Sequence, residues 1–379
     1  MQSLFPFTYN WSWGTFFLYI SVSYVVVCLC KKGAKKNKHG LLSKHVLPAS
    51  NLNACYLFAV LILTILATIR SSSVGTDTHG YVNEFLAMSD FYFDWKRLFT
   101  FQQIEPGYQL LILFVRKLTQ NYHILFFVVF FPLSIAYITF IKYFYSQVDQ
   151  YCFLPLFIFY FVSNMSGMRA ALGTIFLIYS FIALSENRFF KANILTLIAC
   201  TFHYTMMFNF YIVFVSWLFK QREFRRRRWL WILGFCASFV FANYGIATLL
   251  SIIEKTKYGY YSGADSLWGS IVFIIHGIVA VWLYRRIYDN DKEMTLLVVS
   301  LSFLITYPMI YVVGAYRIPN YYILPRLFIW DSALSTFCNE STIATKRIVK
   351  VGCVLIVAIY ILFRFSRASV DGGFVYTIT

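Results

Sequence analysis

Apolar runs of bilayer-crossing length recur from one end of this 379-residue chain to the other, a pattern that no water-soluble core absorbs. They lie at about 13–30, 52–69, 122–143, 229–250, 269–284, 295–313, 318–337 and 348–363. Hydrophobic residues make up 59% of the chain and charged residues 13%, about half the charged share of a soluble protein. A helix satisfies its own backbone in hydrocarbon, so the expected fold is all-α: a polytopic integral membrane protein, with residues 1–379 forming one transmembrane domain.

Two further apolar stretches are too long for single crossings. Residues 153–184 are interrupted by Ser163-Asn164-Met165-Ser166-Gly167, a cluster that favours a turn over continued helix. Residues 192–219 run between basic segments at Arg188/Lys191 and at Lys220–Arg228. If both segments lie on one membrane side, this stretch is a pair of short helices turning near 203–208. With both splits there are about twelve crossings, some short or broken. A ten-span arrangement keeps both stretches whole and conflicts with the charge bias.

The net charge of +17 raises the question of nucleic acid, but its distribution answers it. Lys31–Lys44, Lys142, Arg188, Lys191, Lys220–Arg228, Arg285, Arg286, Lys292 and Lys346–Lys350 fall on one side of the twelve-span arrangement. The opposite side keeps Arg70, Lys96, Arg97, Arg116, Lys117, Lys255, Lys257, Arg364 and Arg367. The richer side is therefore expected in the cytoplasm, both termini outside, and no nucleic-acid partner. The first basic residue, Lys31, follows the first apolar run, so that run reads as a retained anchor and not a cleaved signal. Two loops are expected outside: 70–121, carrying an amphipathic helix over Gln109–Leu118, and 251–268, rich in tyrosine. The eight cysteines lie in or beside apolar stretches and the six histidines are scattered, so no metal and no cofactor is expected.

The residues able to do chemistry are few. Arg169 follows the break at 163–167 and falls in the first turn of the next helix, where unpaired amides and the positive dipole end make an anion site. Its alternative is an arginine snorkelling to headgroups. Arg317, followed by Ile318-Pro319, repeats the arrangement, and two such sites suit a diphosphate. Arg326 is either a third cationic ligand or a structural residue paired with Asp331 or a carbonyl. His203 falls at the turn of the short helix pair, as a hydrogen-bonded core residue or a functional group. Asp77 and Glu105 in the first outside loop each read as a general base for a sugar hydroxyl. The competing readings are an Asx-type turn for Asp77 and a helix-start carboxylate beside Pro106 for Glu105.

Taken in order, Arg70 with Gly75-Thr76-Asp77 and Tyr81, Glu105-Pro106-Gly107-Tyr108, Met168-Arg169-Ala170-Ala171, Phe202-His203, and Arg317 with Tyr321-Tyr322 resemble the EpsG branch of the Wzy-type bacterial polysaccharide polymerases. The resemblance spans roughly residues 70–330. It departs at Met168-Arg169-Ala170, where the family often has a glutamine directly after the arginine.

The resemblance implies a fold similar to the GT-C-like membrane glycosyltransferases, in the bacterial inner membrane with the active site facing the periplasm. The implied reaction is O-antigen polymerisation: a growing glycan leaves undecaprenyl diphosphate for the next lipid-linked repeat unit, without a metal. Implied catalytic residues are Asp77, His203 and Glu105. Implied diphosphate ligands are Arg169, Arg317, Arg326 and Arg70, and implied glycan contacts are Tyr81, Tyr108 and Tyr321. Besides membrane lipid and the lipid-linked repeat units, a chain-length regulator protein is an implied partner. Two rivals use similar residues. A lipid-linked oligosaccharide flippase or other transporter distributes arginines around an alternating-access path, and a membrane O-acyltransferase draws acyl-CoA toward the basic Lys31–His45 loop.

Overall fold

The computed structural model describes residues 12–38, 53–75, 77–87, 105–145, 148–221, 277–279, 282–283, 295–300 and 318–368. Among these the architecture is helical, with no strand. The described helices are α1 (Trp13–Lys38), α2 (Ala54–Thr68), α3 (Thr78–Ala87), α4 (Pro106–Leu118), α5 (Tyr122–Tyr145), α6 (Phe157–Ser166), α7 (Met168–Ser185), α8 (Phe189–Phe202), α9 (Phe208–Lys220), α10 (Ile323–Glu340) and α11 (Ile343–Ala368). Three are long and apolar enough to cross a membrane, at Trp13–Ala34, Tyr122–Tyr145 and Met168–Ser185. Shorter apolar helices cover Ala54–Thr68, Leu154–Ser166 and Phe189–Phe202. The apolar run at 229–250, the loop at 251–268 and most of the runs at 269–284 and 295–313 lie outside the described residues.

Both long apolar stretches are broken. After Ser166 the chain turns at Gly167 (φ −112°, ψ 73°) and restarts as α7. After Phe202 it becomes extended at His203 (φ −159°, ψ 112°), makes a 3-10 turn over Tyr204–Met207 and restarts as α9. α7 and α8 are joined by a tight turn in which Asn187 takes the left-handed conformation (φ 63°), which asparagine tolerates better than most residues. The hairpin then packs closely: a Cβ on Gly173 of α7 would lie 2.8 Å from Met206, just past the end of α8. A buried amide ties the three helices, as Asn209 Nδ2 donates to Ser180 Oγ at 3.1 Å and to Thr196 Oγ1 at 2.8 Å. In hydrocarbon such bonds hold helices together where no hydrophobic drive separates helix from lipid.

The packing sorts helix ends into two levels. At one level, Asn53 at the start of α2 donates to Gly33 O near the end of α1 (3.1 Å), and Lys142 near the end of α5 lies over the Tyr56 ring (5.9 Å). Ser185 at the end of α7 donates to Tyr143 Oη of α5 (3.1 Å), and Lys220 at the end of α9 donates to Leu184 O (3.0 Å). Lys31, Lys142, Arg188 and Lys220 therefore share this level, a sorting that the charge bias of membrane loops demands. At the opposite level His123 Nδ1 lies 2.7 Å from Thr68 O, joining the start of α5 to the end of α2. Arg70 donates to Met165 O at the end of α6 (2.7 Å). Antiparallel to α6 runs α10, whose buried Asp331 accepts from the Phe153 and Leu154 amides (2.9 and 3.0 Å) and from Tyr145 Oη (3.2 Å). That carboxylate serves as the cap for the turn that starts α6, whose first amides have no partner within the helix.

Candidate active site

Three helix ends and the segment carrying α3 and α4 converge at the level opposite the lysines. Arg169 is the second residue of α7, and its N-cap, Gly167, supplies no side-chain hydrogen bond to the first amides. Just before α3, a Cβ on Gly75 (φ +102°) would lie 2.9 Å from Ser166 Cα, so only glycine permits both this backbone and this approach. The Asp77 amide then donates to Ser166 Oγ (3.3 Å), which lays α3 beside the α6–α7 break.

α4 is docked by a second glycine. A Cβ on Gly107 would lie 2.6 Å from Thr201 Oγ1 and 2.9 Å from Thr201 O, in the last turn of α8. That contact carries Glu105, the N-cap of α4, to the α8–α9 break. Glu105 makes no side-chain capping bond to its own helix. Its carboxylate turns instead to two basic side chains: Arg169 Nη1 at 2.7 Å on Oε2, and His203 Nδ1 at 2.9 Å on Oε1. Burial opposes ionisation of this carboxyl, but the His203 hydrogen bond and the Arg169 charge outweigh it and hold Glu105 below the usual carboxylate range. An added side chain at Gly107 should push α4 away. Gly107→Val should therefore break the Glu105–His203 contact while leaving α7 and α8 packed, seen as lost activity with wild-type yield of folded protein.

Around this triad stand the tyrosines. Arg169 Nε donates to Tyr81 Oη (3.3 Å), and the guanidinium lies 5.6 Å from the Tyr81 ring centroid. Tyr108 packs edge-on behind Tyr81 (5.5 Å) and is fully buried. Tyr321 meets His203 edge-on (6.2 Å) and shares a hydrogen bond with Thr205 (2.9 Å), tying the segment before α10 to the site. Among the described residues no bond engages Arg169 Nη2, and the side chain keeps 32% exposure, so the guanidinium retains an edge for an anion.

Of the residues singled out in the sequence, Glu105, His203, Arg169, Tyr81, Tyr108 and Tyr321 are brought together. Asp77 is half-buried immediately before α3, where its carbonyl accepts from the Tyr81 amide (3.1 Å). Arg70 is not brought to the cluster: it is fully buried, with its guanidinium 4.4 and 4.7 Å from the Phe126 and Phe130 rings and one Nη on Met165 O. Arg326 is buried below the site, donating to Tyr160 Oη of α6 (2.9 Å), 5.7 Å from the Trp330 ring. Arg317 lies outside the described residues.

Sequence reasoning missed Glu84. It is half-buried on α3, close enough to feel the charges of Arg169 and Glu105, and burial together with Glu105 outweighs Arg169 and raises its pKa. The signal was present: Asp77, Tyr81 and Glu84 are spaced as one helix face, visible once 78–87 is read as helix and not as loop. Thr205 was missed as well, and no local pattern marks it. Among the described residues no group of three or more His, Cys, Asp or Glu side chains could hold a metal ion.

A family model described as the EpsG family matches residues 53–377. No curated protein and no solved structure matches the chain.

Proposed function

The chain belongs to the EpsG family, and from that premise we propose that it is a polysaccharide polymerase of the Wzy type. The family and the apolar helices mark it as a membrane protein of polysaccharide biosynthesis. In the finer reading, a growing glycan passes from undecaprenyl diphosphate to a hydroxyl of the next lipid-linked repeat unit. The observation that carries it is the Glu105 carboxylate held between Arg169 and His203 at the start of α7.

That arrangement suits glycosyl transfer to an alcohol. If His203 Nδ1 carries the proton it shares with Glu105, Nε2 is left as the base, oriented as the acid–base partner in a hydrolase triad is. The acceptor oxygen attacks the anomeric carbon of the donor while its proton passes to Nε2. The bond from that carbon to the diphosphate oxygen breaks, and the diphosphate leaves with the electron pair. Arg169 Nη2 and the uncapped first amides of α7 stabilise the departing charge without reorganisation. Arg317, by its place in the sequence, is the second diphosphate ligand. Arg70 and Arg326 act structurally, the first holding the end of α6 and the second tying α10 to α6. Tyr81 and Tyr321 form the glycan-facing walls, with Tyr108 supporting Tyr81 from behind.

We place the lysine-rich helix ends in the cytoplasm and the site toward the periplasm of the inner membrane, in a fold of about twelve crossings akin to the GT-C-like transferases. Gathering of the ionisable groups at one level of the bundle favours a fixed reaction site over the alternating path of a flippase. The test is chain extension by purified, reconstituted protein given synthetic lipid-diphosphate repeat units. Extension by the wild type is expected, with His203→Gln slowed strongly and Asp77→Asn weakly. Wild-type turnover in His203→Gln overturns the base assignment, and absence of extension under conditions that sustain lipid flipping overturns the polymerase reading.

A further inference from the structure

α4 belongs by topology to a segment expected outside the membrane, yet its outward face is apolar. Tyr108, Gln109, Ile112 and Val115 are buried against the bundle, while Leu110, Phe114 and Leu118, spaced four residues apart, are 52%, 65% and 71% exposed. In water such a stripe would be an unusual liability for a thirteen-residue helix.

The depth of its anchor point explains it. α8 begins beside Arg188 and Lys191, which mark headgroup level on the lysine-rich side. Its 14 residues rise only about 21 Å, against an apolar layer of about 30 Å. Gly107 is packed against Thr201 in the last turn of α8, so α4 starts roughly 10 Å below the far boundary of that layer. Phe190, Ile194 and Leu197 of α8 are exposed on the same helix face as Thr201, so the outward surface of that helix runs up to the α4 contact. At its other end α4 carries exposed Lys117 and passes through Thr119–Asn121 into α5, whose first turns expose Ile124 and Phe127.

We infer that α4 is seated in the outer half of the bilayer, with the Leu110–Phe114–Leu118 stripe covered by phospholipid acyl chains and Lys117 reaching the headgroups. The helix then forms a sill that closes the Glu105 site toward lipid, and its seating does not depend on which reaction the site performs. Lysine at the upper end supports this, because its long stem lets the charge reach phosphate while the stripe stays in hydrocarbon.

Photo-crosslinking tests the inference on the full chain in vesicles of phosphatidylethanolamine and phosphatidylglycerol. Benzoylphenylalanine replaces Leu110, Phe114, Leu118 or, as a protein-facing reference, Ile112. Irradiation should give adducts of phospholipid mass at 110, 114 and 118, and internal crosslinks at 112. Crosslinks from 114 to another part of the chain, or no lipid adduct at any of the three outward positions, would overturn it. So would adducts that form only when undecaprenyl diphosphate is added, since the stripe would then serve the substrate tail. The internal crosslink at 112 reports correct packing of α4 in each preparation.

Discussion

Arg169→Ala should slow glycan transfer by the purified enzyme roughly a hundredfold. Loss of one preorganised charge-assisted donor set removes on the order of 3 kcal/mol of transition-state stabilisation. Arg169 also holds Glu105 and Tyr81 through bonds of 2.7 and 3.3 Å, so the variant loses the clamp on the carboxylate together with the diphosphate contact of the proposed mechanism. Arg169→Lys should recover part of the loss. Lysine restores the charge but cannot bond Glu105 and Tyr81 while presenting a second edge to an anion. Polymerisation rates per folded molecule decide the matter. Equal activity in the wild type and the alanine variant would leave Arg169 a purely structural residue.

Glu105→Ala should be at least as damaging, for a different reason. It strands two basic side chains around a void, and leaving the partners of a part-buried charged group unsatisfied typically costs about 1–3 kcal/mol. Both lower thermal stability and lost turnover are expected, because His203 then loses the group that fixes its orientation. Glu105→Gln preserves the shape and separates the two effects: its folded yield should recover, and its turnover should not. The pH dependence has a definite sign. A carboxyl held below its unfolded value of about 4.3 binds fewer protons when folded. Its stabilisation is fully present above that pH and is lost as the pH falls through the lower folded value. Wild type should thus lose more stability on acidification than Glu105→Gln, measured by thermal unfolding across that window. Parallel losses in the two proteins would remove Glu105 from the account.

Glu84 adds a contrast within one site. One carboxylate is held ionised by its partners, while the other, burdened by burial and by the first, takes up a proton more readily. Environments that drive two carboxyls apart are how a site acquires distinct acid and base roles. Glu84 is therefore the first residue to vary should His203→Gln retain activity.

Local signals carried the helical class, the two breaks and the placement of Arg169. The turn cluster at 163–167 and the basic segments flanking 192–219 are short-range features, and chain geometry alone converts them into helix ends. The same signals read Glu105 either as a general base or as a helix-start carboxylate beside Pro106. Its position at a helix start is what the structure has, but the side chain serves another purpose. The ion pair to Arg169 spans 64 residues and the bond to His203 spans 98. Such pairings depend on how closely α4 can approach α8, which is set by the missing Cβ of Gly107 against Thr201. Periodicity contains no record of that distance.

The arginines divide on the same principle. Sequence alone marked Arg169 and Arg326 as costly in an apolar setting and so each in need of a purpose, and it placed Arg70 at the start of the first outside loop. Only the tertiary structure decided what each of them meets. Arg70 is enclosed by Phe126 and Phe130, and Arg326 reaches Tyr160, while Arg169 keeps an exposed edge beside an uncapped helix start. A charge in hydrocarbon takes whatever acceptor or ring the packing brings within a few ångströms. Which one that is depends on helices far apart in the chain, and is settled only when they meet.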